Sequence, residues 1–542
     1  MFTVTVGNDT YQYKEPVRLE TISKLYSGRY FVAKVNNRLR ELSFDLFYDA
    51  AVEFLDYANY DATRVYSTSL RYLICMAFYR IAPELEIKFS NSISMGVFGK
   101  AVLGVMTPET VDKVVLEMKR LIAADLPIVR RRVTQNYIRK YYEKMGYIDK
   151  IETLKYRQGQ VNLYECDGYL NYLYGYMVPS TGYLKEFELF YYSSGFLARS
   201  PRIEAKGLIP EFADSPSFLR VLNKAEQWAV NCDADMIYKM NRIIESGRAV
   251  QFVNMCETKH NNQLCELGNI IGKDIDSIRL IAIAGPSSSG KTTFSRRLEI
   301  ELLTRGIKPL MISIDNYYFS VEKAPKDEYG QPDLEHVEAL DLALFNQNIA
   351  DLIAGVPVQL PIFDFKTKER RLCEPVILGP HNPIIIEGIH ALNDLLTELI
   401  PAQNKFKIYI SPLAQINIDY NNPINLTDLR LLRRIVRDLQ FRNTSPEKTL
   451  SMWPSVRRGE YKWIYPFIER ADYIYNSELT YEMSVMKHFA LKALTSIPND
   501  SEYFVQANRL IKFLKYFREI DEYLVPCNSL LREFIGKSVF EQ

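Results

Sequence analysis

A short apolar run rich in β-branched residues, Ile278-Arg-Leu-Ile-Ala-Ile-Ala284, leads straight into Gly285-Pro-Ser-Ser-Ser-Gly-Lys-Thr292, and Phe294 to Leu303 follows with helical spacing. The middle segment fits G-x-x-x-x-G-K-[ST] in the context that gives this pattern a mechanism: a buried strand before it and a helix after it. Its glycines let backbone N–H groups turn inward around an oligophosphate, and the helix N-terminus adds partial positive charge. Gly285, Pro286, Ser287, Ser288, Ser289, Gly290, Lys291, Thr292 and Thr293 are therefore the candidate ATP-binding loop, with Lys291 reaching the β and γ phosphates and the Thr292 hydroxyl placed for Mg²⁺. Such a loop belongs in an α/β domain with a parallel sheet and helices on both faces. Residues 274–498 supply the alternation. Strand signals at Pro309–Ile314, Pro383–Glu387, Phe406–Ile410 and Tyr473–Tyr475 are interleaved with helix signals at Ala339–Ala354, Leu392–Ile400 and Thr427–Phe441.

A chain of 542 residues is too long for one core. Lys+Arg 67 against Asp+Glu 66 leaves almost no net charge, so no global field draws the protein to nucleic acid or membrane, and any polyanion site must be local. The seven cysteines have no C-x-x-C spacing, which argues against a zinc site and a disulfide framework and for a reducing compartment. The start, Met1-Phe-Thr-Val-Thr, lacks a basic n-region, and no apolar run approaches the length of a membrane span. The expectation is a cytoplasmic protein without a membrane partner.

Two acidic residues end strand signals, where an open α/β sheet puts its ligands. Asp315 is the candidate general base, and Glu387 the carboxylate that orients the metal beside Thr292, so that Thr292, Asp315 and Glu387 form the candidate Mg²⁺ set. The cations come from Asp428-Leu-Arg-Leu-Leu-Arg-Arg-Ile-Val-Arg-Asp438. At about 100° per residue, Arg430, Arg433, Arg434 and Arg437 share one stripe opposite Leu432, Ile435, Val436 and Leu439. Four arginines without an interleaved acid repel one another unless anions are near, which favours a phosphate lid over a solvated face. Arg442, Arg457 and Arg458 extend the same basic territory.

These segments resemble the phosphoribulokinase and uridine kinase family across residues 274–498. Asp315-Asn-Tyr-Tyr318 falls on the segment carrying the catalytic aspartate, and Gln331 to Asp341 is similar to "fDHPxAFD". Pro361-Ile-Phe-Asp-Phe365 resembles "PxYDF", and Asp-x-Arg-Leu-x-Arg-Arg-x-x-Arg-Asp is present in full at Asp428 to Asp438. The resemblance implies Asp315, Lys291, Arg434 and Arg437 as catalytic residues. It implies Tyr318, Glu335, His336, Phe363, Lys368, Arg433 and Arg442 as the acceptor-binding set, with Glu335 at the ribose hydroxyls and Phe363 against the base. Two departures touch the substrate. Lys368 stands where uridine kinases have a base-reading histidine, and Glu335 replaces an aspartate. Glu387-Gly-Ile-His390 is also similar to the "EGLH" of phosphoribulokinases.

Residues 1–60 read as a small β-grasp unit: Phe2–Val6 alternates, Gly7-Asn-Asp9 turns, Tyr11–Tyr13 returns, and a helix near Leu19–Tyr26 and a strand at Tyr30–Val35 follow. Val35 to Leu42 resembles the TGS domain of threonyl-tRNA synthetases, and 61–225 the α+β additional domain that hydrolyses mischarged tRNA there. That chemistry opens with H-S-x-x-H, whereas this chain has Tyr66 and Leu70 at the histidine places and all five histidines beyond residue 250. Editing is thus not expected. RNA contact, substrate access or an oligomer surface are the roles left open. The aromatic stretch from Tyr164 to Tyr192 fits a large sheet with an aromatic inner face better than base stacking, and Arg130-Arg-Arg132 fits a solvated face better than a phosphate contact. Residues 226–273 read as a helical connector ending near Gly268 and Gly272, and 499–542 as a helical tail. The whole points to an ATP-dependent kinase for the 5′-hydroxyl of a pyrimidine nucleoside. The alternatives are a kinase of another hydroxylated metabolite and a nucleotide-switched tRNA- or ribosome-binding regulator. Residues from about 270 onward are expected to transfer phosphoryl groups on their own.

Overall fold

The computed structural model describes residues 1–157, 159–327, 330–364 and 369–540. The first unit is a mixed sheet. Strands β1 (Phe2–Val6), β2 (Asp9–Tyr13), β3 (Val32–Val35), β4 (Arg38–Glu41) and β5 (Ala50–Leu55) lie in the order β2-β1-β5-β3-β4, with a short helix α1 (Leu19–Ser23) on one side. Alternation in β1 sends Phe2, Val4 and Val6 into its core.

Helix α2 (Tyr60–Ile81) follows, its N-terminus capped by the Asn59 side chain. It packs on α3 (Pro108–Ala123) and on two small sheets. One holds β8 (Val129–Val133), β9 (Val161–Cys166) and β10 (Tyr169–Asn171), and the other β6 (Ile87–Ile93), β7 (Gly96–Ala101), β11 (Glu188–Tyr192) and β12 (Gly195–Arg199). The aromatic stretch is therefore not one large sheet. A 3-10 turn at Thr181–Tyr183 carries the chain from the first sheet toward the second. Tyr164, Tyr169 and Tyr172 are nonetheless buried. Two helices, α4 (Gln135–Met145) and α5 (Ile148–Leu154), complete the region.

The connector is three helices, α6 (Pro216–Asn231), α7 (Ile237–Glu245) and α8 (Ala249–Lys273). Helix α8 passes through Gly268 and ends at Lys273, next to Gly272. A Cβ on Gly268 would lie 2.8 Å from Glu301 Cγ, so this glycine lets α8 approach the next helix closely rather than ending it.

From here the chain builds an all-parallel sheet. Strands β13 (Leu280–Ala284), β14 (Leu310–Ser313), β17 (Ile384–Glu387), β18 (Lys405–Ser411) and β19 (Tyr473–Asn476) are ordered β14-β17-β13-β18-β19. A hairpin of β15 (Pro361–Asp364) and β16 (Glu369–Leu372) stands apart. The central strand is apolar along its length because both faces are covered. Ile281 and Ile283 enter a core shared with α8, α9 (Lys291–Leu303), α11 (Leu426–Phe441), α13 (Glu482–Thr495), α14 (Phe504–Leu514) and α15 (Arg532–Ile535). Leu280, Ala282 and Ala284 enter another, with α6, α10 (Leu342–Ile353) and Phe98 and Leu197 of the four-stranded sheet. Helix α12 (Pro446–Trp463) packs on α11. Helix α10 starts later than expected because Asp341 caps it by accepting from Leu344 N. The helix expected at Leu392–Ile400 is only a 3-10 turn at Asp394–Thr397.

Residues 149–153 and 171–174 fasten the segment just before α11. Lys150 Nζ pairs with Asp419 at 3.2 Å, Thr153 Oγ1 donates to Ile418 O at 2.9 Å, and Asp149 Oδ2 accepts from Tyr420 N at 2.7 Å. Asn171 and Tyr174 donate to Asn421 and Asn422. Removing the first 270 residues would strip these partners from buried polar groups, so the independent action expected of the remainder has no support in the packing.

Candidate active site

The phosphate loop leaves the central strand β13 and enters α9. Gly285 is required by close approach, since a Cβ there would lie 2.2 Å from Ile410 O, and Gly290 by its φ of +91°. Lys291 Nζ donates to the loop's own carbonyls, Gly285 O at 3.0 Å and Pro286 O at 3.3 Å. Burial holds its pKa below the usual lysine value against the charges of Glu387 and Asp315.

Strand register brings the two carboxylates to this loop. Glu387 closes β17 opposite Ser313 of β14 on one side and Ile283 of β13 on the other, and Ser313 Oγ donates to it at 3.1 Å. Asp315 follows β14 by two residues. Burial pushes both acids up, and the charge of Asp315 raises Glu387 further, with Lys291 opposing both. Among the described residues no group of three or more His, Cys, Asp or Glu side chains could hold a metal ion. Two half-buried, mutually repelling carboxylates whose charges act on Lys291, the neighbour of Thr292, still make a hard-oxygen set that fits Mg²⁺ once phosphate oxygens and water are added.

The arginine stripe divides. Arg434 Nη1 donates to Ser287 Oγ of the loop at 2.9 Å, and its Nε to Asp438 Oδ2 at 3.2 Å. Arg437 pairs with Asp438 Oδ1 at 2.8 Å, and Arg442 reaches the same atom at 3.8 Å. One carboxylate thus serves three guanidiniums, and repulsion from Arg437 is the first cause holding Arg442 below the usual arginine value. Arg433 lies outside the Asp438 cluster, and its Nη1 donates to the loop carbonyls Ser288 O at 3.4 Å and Ser289 O at 3.5 Å. Its fully buried side chain pairs with Glu482, donates to Ser477 O at 2.9 Å and lies over the Phe534 ring. Arg430 likewise pairs with buried Glu460 and stacks on Trp453, and Arg457 pairs with Glu460 and Glu204. The anions expected near these three are protein carboxylates.

On the acceptor side, Tyr318 sits amid the charges of Asp315, Glu335 and Asp333, and burial first of all pushes its pKa well up. Burial also pushes Glu335 up to about 7, with Arg434 opposing. Helix α12 presses on Glu335: a Cβ on Gly459 would lie 2.5 Å from Glu335 Cβ. His336 is turned aside, its Nδ1 accepting from Glu338 N and its ring 4.7 Å from Trp463. The backbone of Phe363 is tied to Asn316 Oδ1 at 3.1 Å. Lys368 lies outside the described residues.

Residues outside the candidate set also lie in this region. Arg370 holds the Tyr317 and Tyr318 carbonyls and Asp341, fixing the segment after Asp315. His390 is buried, and its ring lies 5.9 Å from Trp463. In the N-terminal half, Tyr66 is buried and its hydroxyl exchanges hydrogen bonds with the Glu186 backbone, while Leu70 is packed in the core. Arg130 pairs with Glu41 and Arg131 with Glu165. A separate open cleft of about 660 Å³ lies there, lined by Lys119, Lys185, Phe187 and Phe190 among others.

The profile of the phosphoribulokinase / uridine kinase family matches residues 280–484. The uridine kinase of Staphylococcus carnosus is 32% identical over 202 residues, which is 37% of this chain and 88% of that protein. That of Ureaplasma parvum is 31% identical over 176 residues, 32% of this chain and 76% of that protein. The uridine kinase of Borreliella burgdorferi is 30% identical over 197 residues, 36% of this chain and 85% of that protein. Because these matches run across most of the relatives' own length, the chain belongs to the phosphoribulokinase / uridine kinase family.

Proposed function

We propose that the protein transfers the γ-phosphoryl group of ATP to the 5′-hydroxyl of a pyrimidine nucleoside. The observation that carries this reading is the charge arrangement: Lys291 in the phosphate loop and Arg434, Arg437 and Arg442, which share Asp438 as counter-ion, act on the carboxylates Asp315, Glu387 and Glu335. A cationic half suits a triphosphate. A carboxylate half suits hydroxyl groups and a cation.

Asp315 takes the proton of the attacking hydroxyl. Lys291 turns from the loop carbonyls to the phosphates, and Arg434 and Arg437 neutralise charge that grows on the transferring group, which is most of what phosphoryl transfer asks of a protein. Thr292, Asp315 and Glu387 would hold Mg²⁺, which supplies charge neutralisation on the phosphates when bound. Glu335 and Tyr318 orient the sugar, and Phe363 packs on the base. For the region before residue 226 we favour TGS-like and additional-domain-like modules that act in binding and packing without chemistry of their own, in a cytoplasmic protein. Supporting this, Tyr66 and Leu70 are spent on backbone hydrogen bonding and core packing. Incubation with ATP, Mg²⁺ and a panel of nucleosides and sugars tests the reading. Phosphorylated uridine or cytidine is the expected product, and a phosphorylated sugar without nucleoside turnover would refute the acceptor.

A further inference from the structure

Beyond α14 the chain returns over the phosphate loop. Ser529 Oγ donates to Glu257 at 2.6 Å, and Arg532 donates to the carbonyls of Glu522, Val525 and Gly536, so the short helix α15 is held in one place. Leu530, Leu531, Phe534 and Ile535 are buried anchors. Leu530 rests on the loop itself, where a Cβ added to Gly290 would lie 2.5 Å from its Cδ2. Glu533 projects from this anchored turn, and its Oε2 accepts from Thr293 N at 3.1 Å. That amide is one of the unpaired donors at the start of α9, which the strand-loop-helix arrangement directs at phosphate. Among the described residues, the buried hydroxyls of Ser288 and Ser289 in the same loop have no hydrogen-bond partner. The loop therefore has donors awaiting an acceptor, and one donor already taken by the chain's own carboxylate.

We propose that Glu533 is a built-in competitor for the phosphate loop, occupying a phosphate-binding amide so that nucleotide enters only when this carboxylate leaves. The proposal rests on reading the loop as an ATP site. The four apolar anchors stay seated, and the Glu533 side chain alone has to swing away. ATP affinity is then reduced by the fraction of molecules in which the amide is occupied. An ordinary helix cap would stabilise α9 equally with and without nucleotide, whereas a competitor stabilises only the empty form.

The test is calorimetric titration of full-length protein with ATP and Mg²⁺, comparing the parent, Glu533→Gln, Glu533→Ala and Lys291→Ala, alongside thermal melts with and without ATP. Removing the competitor should tighten ATP binding about tenfold in both Glu533 variants, with a lower Tm in the absence of ATP and a larger rise on adding it. Unchanged or weaker ATP binding in both variants would overturn the proposal and make Glu533 a cap or a partner of the bound nucleotide. In that case the ATP reading survives if Lys291→Ala alone loses affinity. Equal binding by the parent and Lys291→Ala, or no binding by any variant, sinks both.

Discussion

The sharpest test of the arginine helix is to truncate neighbours on one face and find that they fail differently. Arg433 has a side-chain exposure of 0% and Glu482 of 3%, so Arg433→Ala leaves a carboxylate buried without its counter-ion. Removing one partner of such a pair costs about 3–5 kcal/mol. At an m-value near 2–3 kcal/mol/M that lowers the urea midpoint by at least about 1 M. Arg437→Ala is different, because Asp438 keeps Arg434 at 3.2 Å and Arg442 at 3.8 Å. Its stability cost should stay within about 1 kcal/mol. If Arg437 acts as proposed, its loss should instead lower kcat by about 10²–10³. Tryptophan fluorescence reports the right region, since Trp228, Trp453 and Trp463 are the three tryptophans and lie on α6 and α12 against the parallel sheet. Urea melts and steady-state kinetics on both variants therefore suffice. A parental midpoint in Arg433→Ala, or an equal loss of stability in Arg437→Ala, refutes the division of the stripe.

Lys291→Ala should abolish phosphoryl transfer at saturating ATP while leaving the far-UV CD spectrum unchanged. Asp315→Asn should keep ATP binding and lower kcat by roughly 10²–10⁴; lost ATP affinity at normal kcat would instead assign Asp315 to the metal alone. Glu335 has a folded pKa raised to about 7 by burial, so nucleoside affinity should weaken as pH falls below about 7, and Glu335→Gln should bind with a flat pH profile by calorimetry. A raised carboxylate pKa stabilises the fold below the unfolded value near ~4.3 and loses that contribution as pH rises through about 7, so Glu335→Gln should exceed the parent in Tm at pH 8 more than at pH 4. Asp428 is buried, but Arg509 and Arg64 hold its pKa well below the usual carboxylate range. Its contribution is complete above pH ~4 and is lost progressively as pH falls toward its depressed folded value, so Asp428→Ala should cost about 3–5 kcal/mol at pH 7 and progressively less below pH ~4.

The loop, the strand-end acids and the helix of arginines were legible because each is a local pattern with one mechanical reading. What each arginine faces was not. Glu460 and Glu482 lie on other helices, and only folding shows that they neutralise Arg430 and Arg433, which also hold loop carbonyls, while Arg434 and Arg437 share Asp438. The periodicity placed Leu439 on the apolar face, yet it is exposed because the helix is ending there. Gly268 reads as a terminator in one dimension and as a contact point in three. Glu533 and Arg370 carry no motif, since their role depends on where a distant turn comes to rest.

The bonds that tie residues 417–422 to the N-terminal half, together with Arg64 and Arg509 gripping Asp428, fasten one end of α11. Exposure of the loop-side arginines then rises with distance from this fastening, from Arg430 at 4% through Arg434 at 12% and Arg437 at 13% to Arg442 at 59%.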